Sequence, residues 1–218
     1  MPEGYHPPLE EYLESIHELE EDGIVVIQAR LAERLGHSAP TVSETVRRLR
    51  DSGHIEIRDR IIKLTAKGEH AAQGVVRKHR LAERLLVDVI GMAWHESHME
   101  ATRWEHVISD EVERRLNAML GEPATCPHGN PIPGAKQSNA KVRQLSSVDI
   151  GETVTLRRVT EQVEFDTPSL TYLGENNFIP GVRGLVKSRD DAGNMVVVVN
   201  DKELSINKWL SQLLYVAA

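Results

Sequence analysis

The stretch "ARLAERLGHSAPTVSETVRRLRDSGHIEIRDRIIKL", residues 29–64, decides the fold of the amino-terminal part of the chain. Apolar residues at helical spacing predict a short helix that ends at Gly36, which suits a C-cap. Ser38 suits the N-cap of a second helix with its own apolar stripe, and alternating apolar residues around "RDR" predict a hairpin. Upstream, residues 9–21 repeat apolar residues at helical spacing. Together these elements predict a winged helix-turn-helix over residues 1–70.

The second helix of this motif carries its polar residues away from the apolar stripe. A recognition helix brings its first residues to base edges, while arginines contact phosphates and a wing touches the backbone. An exposed amphipathic helix with solvated charges has the same pattern, and it is the full order of helix, turn, helix and wing that favours DNA binding. Glu44 points to a modest intrinsic affinity, because a carboxylate repels phosphate. The predicted DNA-binding residues are Ser38, Ala39, Pro40, Thr41, Ser43, Glu44, Arg47, Arg48, Arg58 and Arg60.

Composition limits the class of protein. The chain has 218 residues, a net charge of -7 and a hydrophobic content of 40%, which is typical of globular proteins. The negative charge argues against tight, constitutive nucleic-acid binding, so a DNA reader would need a local basic patch and a cation to offset its acids. No apolar run approaches the roughly 20 residues that span a bilayer, and no signal peptide is seen. Cys126, the single cysteine, fits a reducing cytosol, and we expect a cytoplasmic protein without a membrane partner.

The rest of the chain divides by pattern. Residues 71–130 are predicted to be a helical domain, broken near "IGMAWHESH". The Gly- and Pro-rich segment "GEPATCPHGNPIPGAKQSN" predicts a loop and a domain boundary, and residues 131–144 are predicted to be a linker. Residues 145–218 alternate Val, Leu and Thr with polar residues and predict a small SH3-like β-barrel. The predicted fold is therefore mostly α in its first two domains, with a β-barrel at the carboxyl terminus.

Histidines and carboxylates gather in the helical domain at spacings that share one helix face. Four side chains fall at relative positions zero, four, seven and eight, and a second pair is four residues apart on the preceding helix. A single such pair is usually solvated, but two on neighbouring helices favour a metal site. Mixed nitrogen and oxygen ligands suit Mn, Fe(II), Co, Ni or Zn. The residues are His98, Thr102, Glu105 and His106 on one helix, and His79 and Glu83 on the other.

Five segments carry a resemblance to a known family: "ARLAERL", "APTVSETV", "RKHRLAERLL", "RWEHVISDEVERRL" and "HGNPIPG". With them the chain resembles the diphtheria toxin repressor family of metal-dependent transcription regulators over nearly its whole length. The resemblance implies a homodimer with a winged helix that reads a palindromic operator, a helical domain that dimerises and binds metal, and an SH3-like (FeoA-type) domain. It further implies that Mn(II) or Fe(II) activates repression of metal-uptake genes.

The resemblance also implies an activating metal site. Glu105 and His106 match the last ligands of that site, while Thr102 stands where iron-responsive members have Cys and manganese-responsive members have Glu. Glu11 stands at the first-helix ligand position, which is Met in the iron branch and acidic in the manganese branch, and Glu14 matches a second carboxylate of the manganese branch. The chain therefore matches neither branch fully.

A second, ancillary site is implied by the same resemblance. Its helical ligands would be His79, Glu83 and His98. Its partners from the SH3-like domain would be Glu161 and Glu164, with Asp166 a looser candidate. Some manganese-responsive members instead use a Cys and a His from the loop after the dimerisation helices, here Cys126 and His128. Cys126 is either a ligand or an inert thiol.

Oxygen atoms replace sulfur at both variable positions of the activating site, and hard oxygen ligands favour Mn(II). The hypothesis is therefore a manganese-responsive repressor, with an Fe(II)-responsive repressor of iron-uptake genes as the alternative and Zn, Co or Ni as substitutes in vitro. A hydrolytic metalloenzyme is disfavoured, since the chain has no "HExxH" motif, nucleophile elbow or phosphate loop, so we expect no enzyme. A third class is a DNA-binding protein whose carboxyl-terminal domain senses a small organic ligand.

Overall fold

A computed structural model describes residues 8–136 and 141–218. Residues 137–140, part of the predicted linker, lie outside the described residues. The chain forms two compact units. The first comprises Met1–His79 and Arg103–Ile108, and the second comprises Arg80–Thr102 and Ser109–Ala218.

The first unit contains the predicted winged helix-turn-helix. Its elements are α1 (Pro8–Glu21), α2 (Gln28–Leu35), α3 (Ala39–Asp51), β1 (Ile55–Arg58) and β2 (Ile61–Leu64), followed by α4 (Ala66–Arg84). Gly36 ends α2 in the left-handed region at φ 64°, and Ser38 caps α3 by accepting a hydrogen bond from the backbone N–H of Thr41. Between the two antiparallel strands, Asp59 and Arg60 both take positive φ, as a tight two-residue hairpin turn requires.

One apolar core holds the winged helix together. Side chains from α1, α2, α3 and both strands meet in it, and each fully buried one stabilises the fold by about 1.5–3 kcal/mol. Its members include Tyr12, Ile16, Leu31, Val42, Val46, Leu49, Ile55 and Ile62. Because α3 buries one stripe here, its opposite face is left to solvent.

The helical segments that follow α4 are short and interrupted. A π-helical turn (Leu85–Ile90) ends at Gly91 in the left-handed conformation, and a 3-10 turn (Trp94–Glu96), α5 (Ser97–Trp104) and α6 (Asp110–Met119) follow. The interruption lies at the predicted "IGMAWHESH" break. Among the residues the structure describes, no helix is both long and apolar enough to cross a membrane.

The second unit ends in a six-stranded antiparallel sheet with the strand order β3-β8-β4-β5-β6-β7. The strands are β3 (Arg143–Gln144), β4 (Thr153–Val159), β5 (Arg183–Arg189), β6 (Met195–Val199), β7 (Lys202–Ile206) and β8 (Leu214–Ala217). Their inward side chains, among them Leu156, Val186 and Val197, build a core of their own. The predicted SH3-like domain is confirmed.

Three short α-helices and a 3-10 turn (Leu145–Ser147) interrupt this domain, where the sequence pattern indicated only strands and turns. The α-helices are α7 (Glu161–Glu164), α8 (Thr167–Glu175) and α9 (Lys208–Leu213). Asp166 accepts a hydrogen bond from the Ser169 N–H and so caps α8, and Asn207 caps α9 in the same way. The segment "KELSINKWL", residues 202–210, was predicted to be a strand from its alternating pattern. Only its first half is a strand, because Asn207 caps the helix α9 that follows.

Candidate metal centres and DNA-reading helix

The outer face of α3 is polar and exposed. Pro40, Ser43, Glu44 and Arg47 follow one another at helical spacing on this face, opposite the buried stripe. Arg58 and Arg60 are exposed on the wing. All ten residues predicted to bind DNA are exposed in the first unit. Their contact with DNA stays a prediction.

A group of carboxylates and imidazoles lies in the same unit, and we call it the helix-one cluster; its side chains are buried except that of Glu10, which is 41% exposed. It comprises Glu10, Glu14, His79, Glu105 and His106. Glu105 is its centre. One carboxylate oxygen of Glu105 lies 2.5 Å from Nδ1 of His79 and the other lies 3.1 Å from Nε2 of His106. Nδ1 of His106 in turn lies 3.1 Å from Glu10, and ligand atoms of Glu14, His79 and Glu105 lie within 4.8 Å of one another.

The electrostatics of this cluster suit a cation. Burial, reinforced by the charges of Glu105 and Glu18, raises the pKa of Glu14 well above its usual value. Burial also opposes ionisation of Glu105, but hydrogen bonds from His106 and His79 outweigh it and lower the pKa of Glu105 to about 2. For His106, burial is outweighed by Glu105 and Glu10, which raise its pKa. A divalent cation would replace these protons and offset the carboxylate charges, so the donor set fits a metal.

Two predicted ligands of the activating site have other surroundings. Glu11 is half-buried and lies about 100° around α1 from Glu10. Among the described residues, the α1 carboxylate that contacts His106 is that of Glu10 and not that of Glu11. Thr102 donates its hydroxyl proton to the backbone carbonyl of His98 at 3.1 Å. The sequence analysis did not select Glu10. Its position four residues before Glu14, on the same face of α1, could have indicated it as a further carboxylate of this site.

The second unit contains a further buried group, which we call the carboxylate–imidazole cluster. Its residues are Glu83, His98, Cys126, His128, Glu161 and Glu164, all at most 1% exposed. Two carboxylates bridge two imidazoles here. The Nδ1 atom of His98 lies 3.3 Å from Glu83 and 3.1 Å from Glu164, and Nδ1 of His128 lies 3.2 Å and 3.0 Å from the same two groups. Sγ of Cys126 is 4.0 Å from His128.

Hydrogen bonds from outside this cluster orient its ligand atoms. Nε2 of His128 donates to the carbonyl of Trp94 at 3.2 Å, which aims Nδ1 at the carboxylates. Asn130 donates hydrogen bonds to Glu164 and to the carbonyl of Val159. The second bond holds the loop of residues 126–130 against the end of β4. Such hydrogen bonds fix the tautomer and ring orientation of metal-ligating histidines. Asn130 is a supporting residue that sequence reasoning did not select.

A second set of contacts holds Glu161 in this cluster. Fully buried Arg80 donates to its Oε1 at 2.8 Å. The other oxygen, Oε2, is buried 4.0 Å from Nδ1 of His98 and accepts no hydrogen bond from the described residues. A buried carboxylate oxygen without a donor is costly, and a cation would satisfy it.

Protonation in the carboxylate–imidazole cluster follows from burial. Burial and the charge of Glu83 raise the pKa of Cys126 to about 12. Burial opposes the charged form of His128, but the charges of Glu164 and Glu83 outweigh it and raise the pKa of His128 well above its usual value. Burial likewise opposes ionisation of Glu164, but His128 outweighs it and lowers the pKa of that carboxyl. The donor set of imidazole, carboxylate and thiol fits a divalent transition metal.

The placement of the predicted ligands follows from these two groups. Glu14, Glu105 and His106, predicted for the activating site, lie together in the first unit. His79, which the resemblance assigned to the ancillary site, contacts this group through Glu105. Glu83, His98, Cys126, His128, Glu161 and Glu164 lie together in the second. Asp166 serves as the cap of α8. That these residues bind metal stays a prediction.

An exposed recognition helix combined with buried sites of imidazole and carboxylate groups defines a DNA-binding regulator with candidate metal centres. Three family models match the chain: the N-terminal DNA-binding domain of iron dependent repressors over residues 6–60, their metal binding and dimerisation domain over residues 65–134, and the FeoA domain over residues 143–218. The chain belongs to the iron-dependent repressor family, which consists of metal-dependent transcriptional repressors and not of enzymes.

Curated relatives span most of the chain. The diphtheria toxin repressor of Corynebacterium efficiens is 56% identical over 201 residues, which cover 88% of this chain and 86% of that protein. The iron-dependent repressor IdeR of Mycobacterium leprae is 45% identical over 206 residues, or 89% of each chain. Among solved structures, a manganese-dependent transcriptional repressor in complex with manganese is 32% identical, with a TM-score of 0.86 over 96% of this chain and 99% of that one. ScaR with bound Zn2+ is 28% identical, with a TM-score of 0.80 over 96% and 99%.

Proposed function

We propose that this protein is a manganese-responsive repressor. As a homodimer it binds a palindromic operator in the cytoplasm when Mn(II) is bound, and so represses genes of metal uptake. The observation that carries the metal assignment is the donor set of the helix-one cluster. Its five side chains offer only oxygen and nitrogen atoms, with no sulfur. Hard donors of this kind suit Mn(II) in a cell, although intrinsic affinity rises toward the later metals.

Glu14, His79, Glu105 and His106 would hold the activating cation, with Glu10 or Glu11 as a further carboxylate. The cation supplies the positive charge that offsets the buried carboxylates. These ligands come from α1, α4 and residues 103–108, and α1 packs on α3 in the winged-helix core. Ligation would therefore hold α1, and with it the recognition helix, in the arrangement that binds DNA. A metal ion that binds only this arrangement increases the fraction of molecules that adopt it.

Dimerisation and operator geometry belong to the same proposal. The match to a metal binding and dimerisation domain supports a homodimer. Two recognition helices related by a two-fold axis require half-sites about one helical turn apart, or a multiple of it, which makes the operator palindromic. The ten exposed residues of α3 and the wing would contact it.

An Fe(II)-responsive repressor is the second candidate. It is favoured by the relatives, since proteins named iron-dependent repressor IdeR are 42–45% identical to this chain. Zn, Co and Ni would substitute in vitro, in line with a related structure that holds Zn2+.

Operator binding titrated with free Mn(II) and with free Fe(II) under anaerobic conditions tests the proposal. We expect chelation to abolish binding to promoter DNA and metal alone to restore it. Activation by Fe(II) at a much lower free concentration than Mn(II) would replace manganese by iron. DNA binding that is unchanged by a chelator, or that requires an organic ligand, would contradict control by metal.

A further inference from the structure

Glu44 occupies the centre of the outer face of α3. It is exposed one turn after Pro40 and one turn before Arg47. With a rise of 1.5 Å per residue, it lies about 7.5 Å along the helix from Ala39. Residues in this row of a recognition helix face the floor of the major groove, whereas those on the flanks face phosphates.

The carboxylate of Glu44 differs from three other carboxylates of the DNA-reading domain, each of which pairs with a nearby arginine. These pairs are Arg30 with Glu33 at 3.0 Å, Arg50 with Asp51 at 2.9 Å and Arg58 with Glu56 at 2.9 Å. Arg47 and Arg48 lie within one turn of Glu44, yet its carboxylate makes no ion pair or hydrogen bond with any residue that the structure describes. At a DNA surface this unpaired charge is repelled by phosphate unless a base offers it a donor.

The major groove offers such a donor at only two bases. An ionised carboxylate is an acceptor only, and the available amino groups are N4 of cytosine and N6 of adenine. Adenine sets its acceptor N7 beside the amino group, which repels a carboxylate, while guanine and thymine present acceptors alone. Cytosine therefore fits Glu44 best.

We propose that Glu44 is a specificity-determining residue that reads a cytosine in each operator half-site by accepting a hydrogen bond from its N4 amino group. This inference rests on the proposed function as a DNA-binding repressor. The negative charge lowers the affinity for every DNA sequence, and only a site with cytosine at this position offsets the loss. Glu44 therefore contributes more to sequence specificity than to affinity.

Selection of bound sites from a random double-stranded library tests this, with the full-length chain loaded with Mn(II). Wild type is compared with Glu44→Gln and with Glu33→Gln, a matched control that removes a paired carboxylate on α2. We expect wild type and Glu33→Gln to select a cytosine at one position of each half-site. Glu44→Gln should select adenine there, because an amide matches its N6 and N7.

A competition assay gives the magnitude. Replacing that C·G pair by T·A should weaken binding of wild type about tenfold or more, and should change binding of Glu44→Ala much less. Identical base preferences in wild type and Glu44→Gln would overturn the inference alone. If wild type selects no sequence with either Mn(II) or Fe(II), the proposed function fails and the inference fails with it.

Discussion

At the scale of single residues, Glu105 carries the most interactions in the helix-one cluster. One carboxylate serves two imidazoles, at 2.5 Å and 3.1 Å, and is 2% exposed. Its pKa of about 2 means that it is ionised at every pH at which the protein would work. A permanently charged oxygen donor beside two imidazole nitrogens is a ligand set that suits a divalent transition metal.

We therefore expect Glu105→Gln to weaken Mn(II) binding by about a hundredfold or more, since loss of even an indirect partner of a metal ligand costs roughly 10–100-fold. The neutral amide removes one charged donor and leaves the size of the side chain unchanged. Equilibrium dialysis of Mn(II) measures the effect. Glu111→Gln, an exposed carboxylate paired with Arg114 and Arg115 on α6, is the control and should bind as wild type does. Equal affinities of wild type and Glu105→Gln would exclude Glu105 as a ligand.

Cys126 gives a second prediction at this scale. Its thiol is 1% exposed and its pKa is raised to about 12 by burial, so in the metal-free protein it is protonated and inaccessible. Iodoacetamide at pH 8 should leave the native protein unmodified and should label it fully in guanidinium. With Co(II) added, a sulfur-to-cobalt charge-transfer absorption should appear if Cys126 is a ligand. Rapid labelling of the native protein would contradict burial of the thiol. Binding of Co(II) without that absorption would show that Cys126 is not a ligand.

At the scale of elements, the loop 126–130 is held against β4. Gly129 takes φ +90°, and a Cβ at this position would lie 2.0 Å from the carbonyl oxygen of Arg157. The backbone N–H of Val159 donates to the carbonyl of His128 at 2.8 Å. The loop therefore presents His128 to the carboxylate–imidazole cluster only because a glycine lets the two backbones approach.

Gly129→Ala should lower the free energy of unfolding by more than the roughly 1 kcal/mol that a positive φ alone costs, because the new methyl group also displaces backbone. Gly121→Ala is the matched control, since Gly121 also has a positive φ, +77°, but nothing lies within 4 Å of its Cβ position. Urea unfolding of both variants measures the difference. Equal losses of stability would show that the close approach to β4 contributes nothing.

Several elements could be predicted from the sequence because their signals are local. The helix that ends at Gly36, the cap at Ser38 and the hairpin turn at Asp59 depend on neighbours in the chain. The helices α7 and α9 were missed, because four and six residues are too few to show a helical period. Thr160 and Asn207 occupy the positions before these helices, and the Asn207 side chain accepts a capping hydrogen bond. Both residue types were visible in the sequence, but in a strand-rich region they predict a turn equally well.

At the scale of the whole molecule, metal binding and stability are linked. A cation that binds the folded chain and not the unfolded chain stabilises it by about 2.7 kcal/mol per site when its concentration is 100 times the dissociation constant. Mn(II) should therefore raise the urea midpoint of unfolding, and a chelator should reverse the rise.

Glu105→Gln separates the two clusters in this experiment. It should lose the part of the Mn(II) stabilisation that belongs to the helix-one cluster and keep the part that belongs to the carboxylate–imidazole cluster. A midpoint that does not respond to Mn(II) in wild type would contradict metal binding by either cluster at the concentrations used.

The sequence by itself determined the winged helix, the SH3-like domain, the family and most of the candidate ligands. Helical period, caps and turns act between near neighbours, and the quoted motifs stand contiguous in the chain. Only the tertiary structure decided which side chains share a site, because Glu10 meets His106 across 96 positions and Glu164 meets His128 across 36. Such contacts depend on packing that no local pattern encodes, and they brought in Glu10 and Asn130 while giving the Thr102 hydroxyl to the backbone of its own helix.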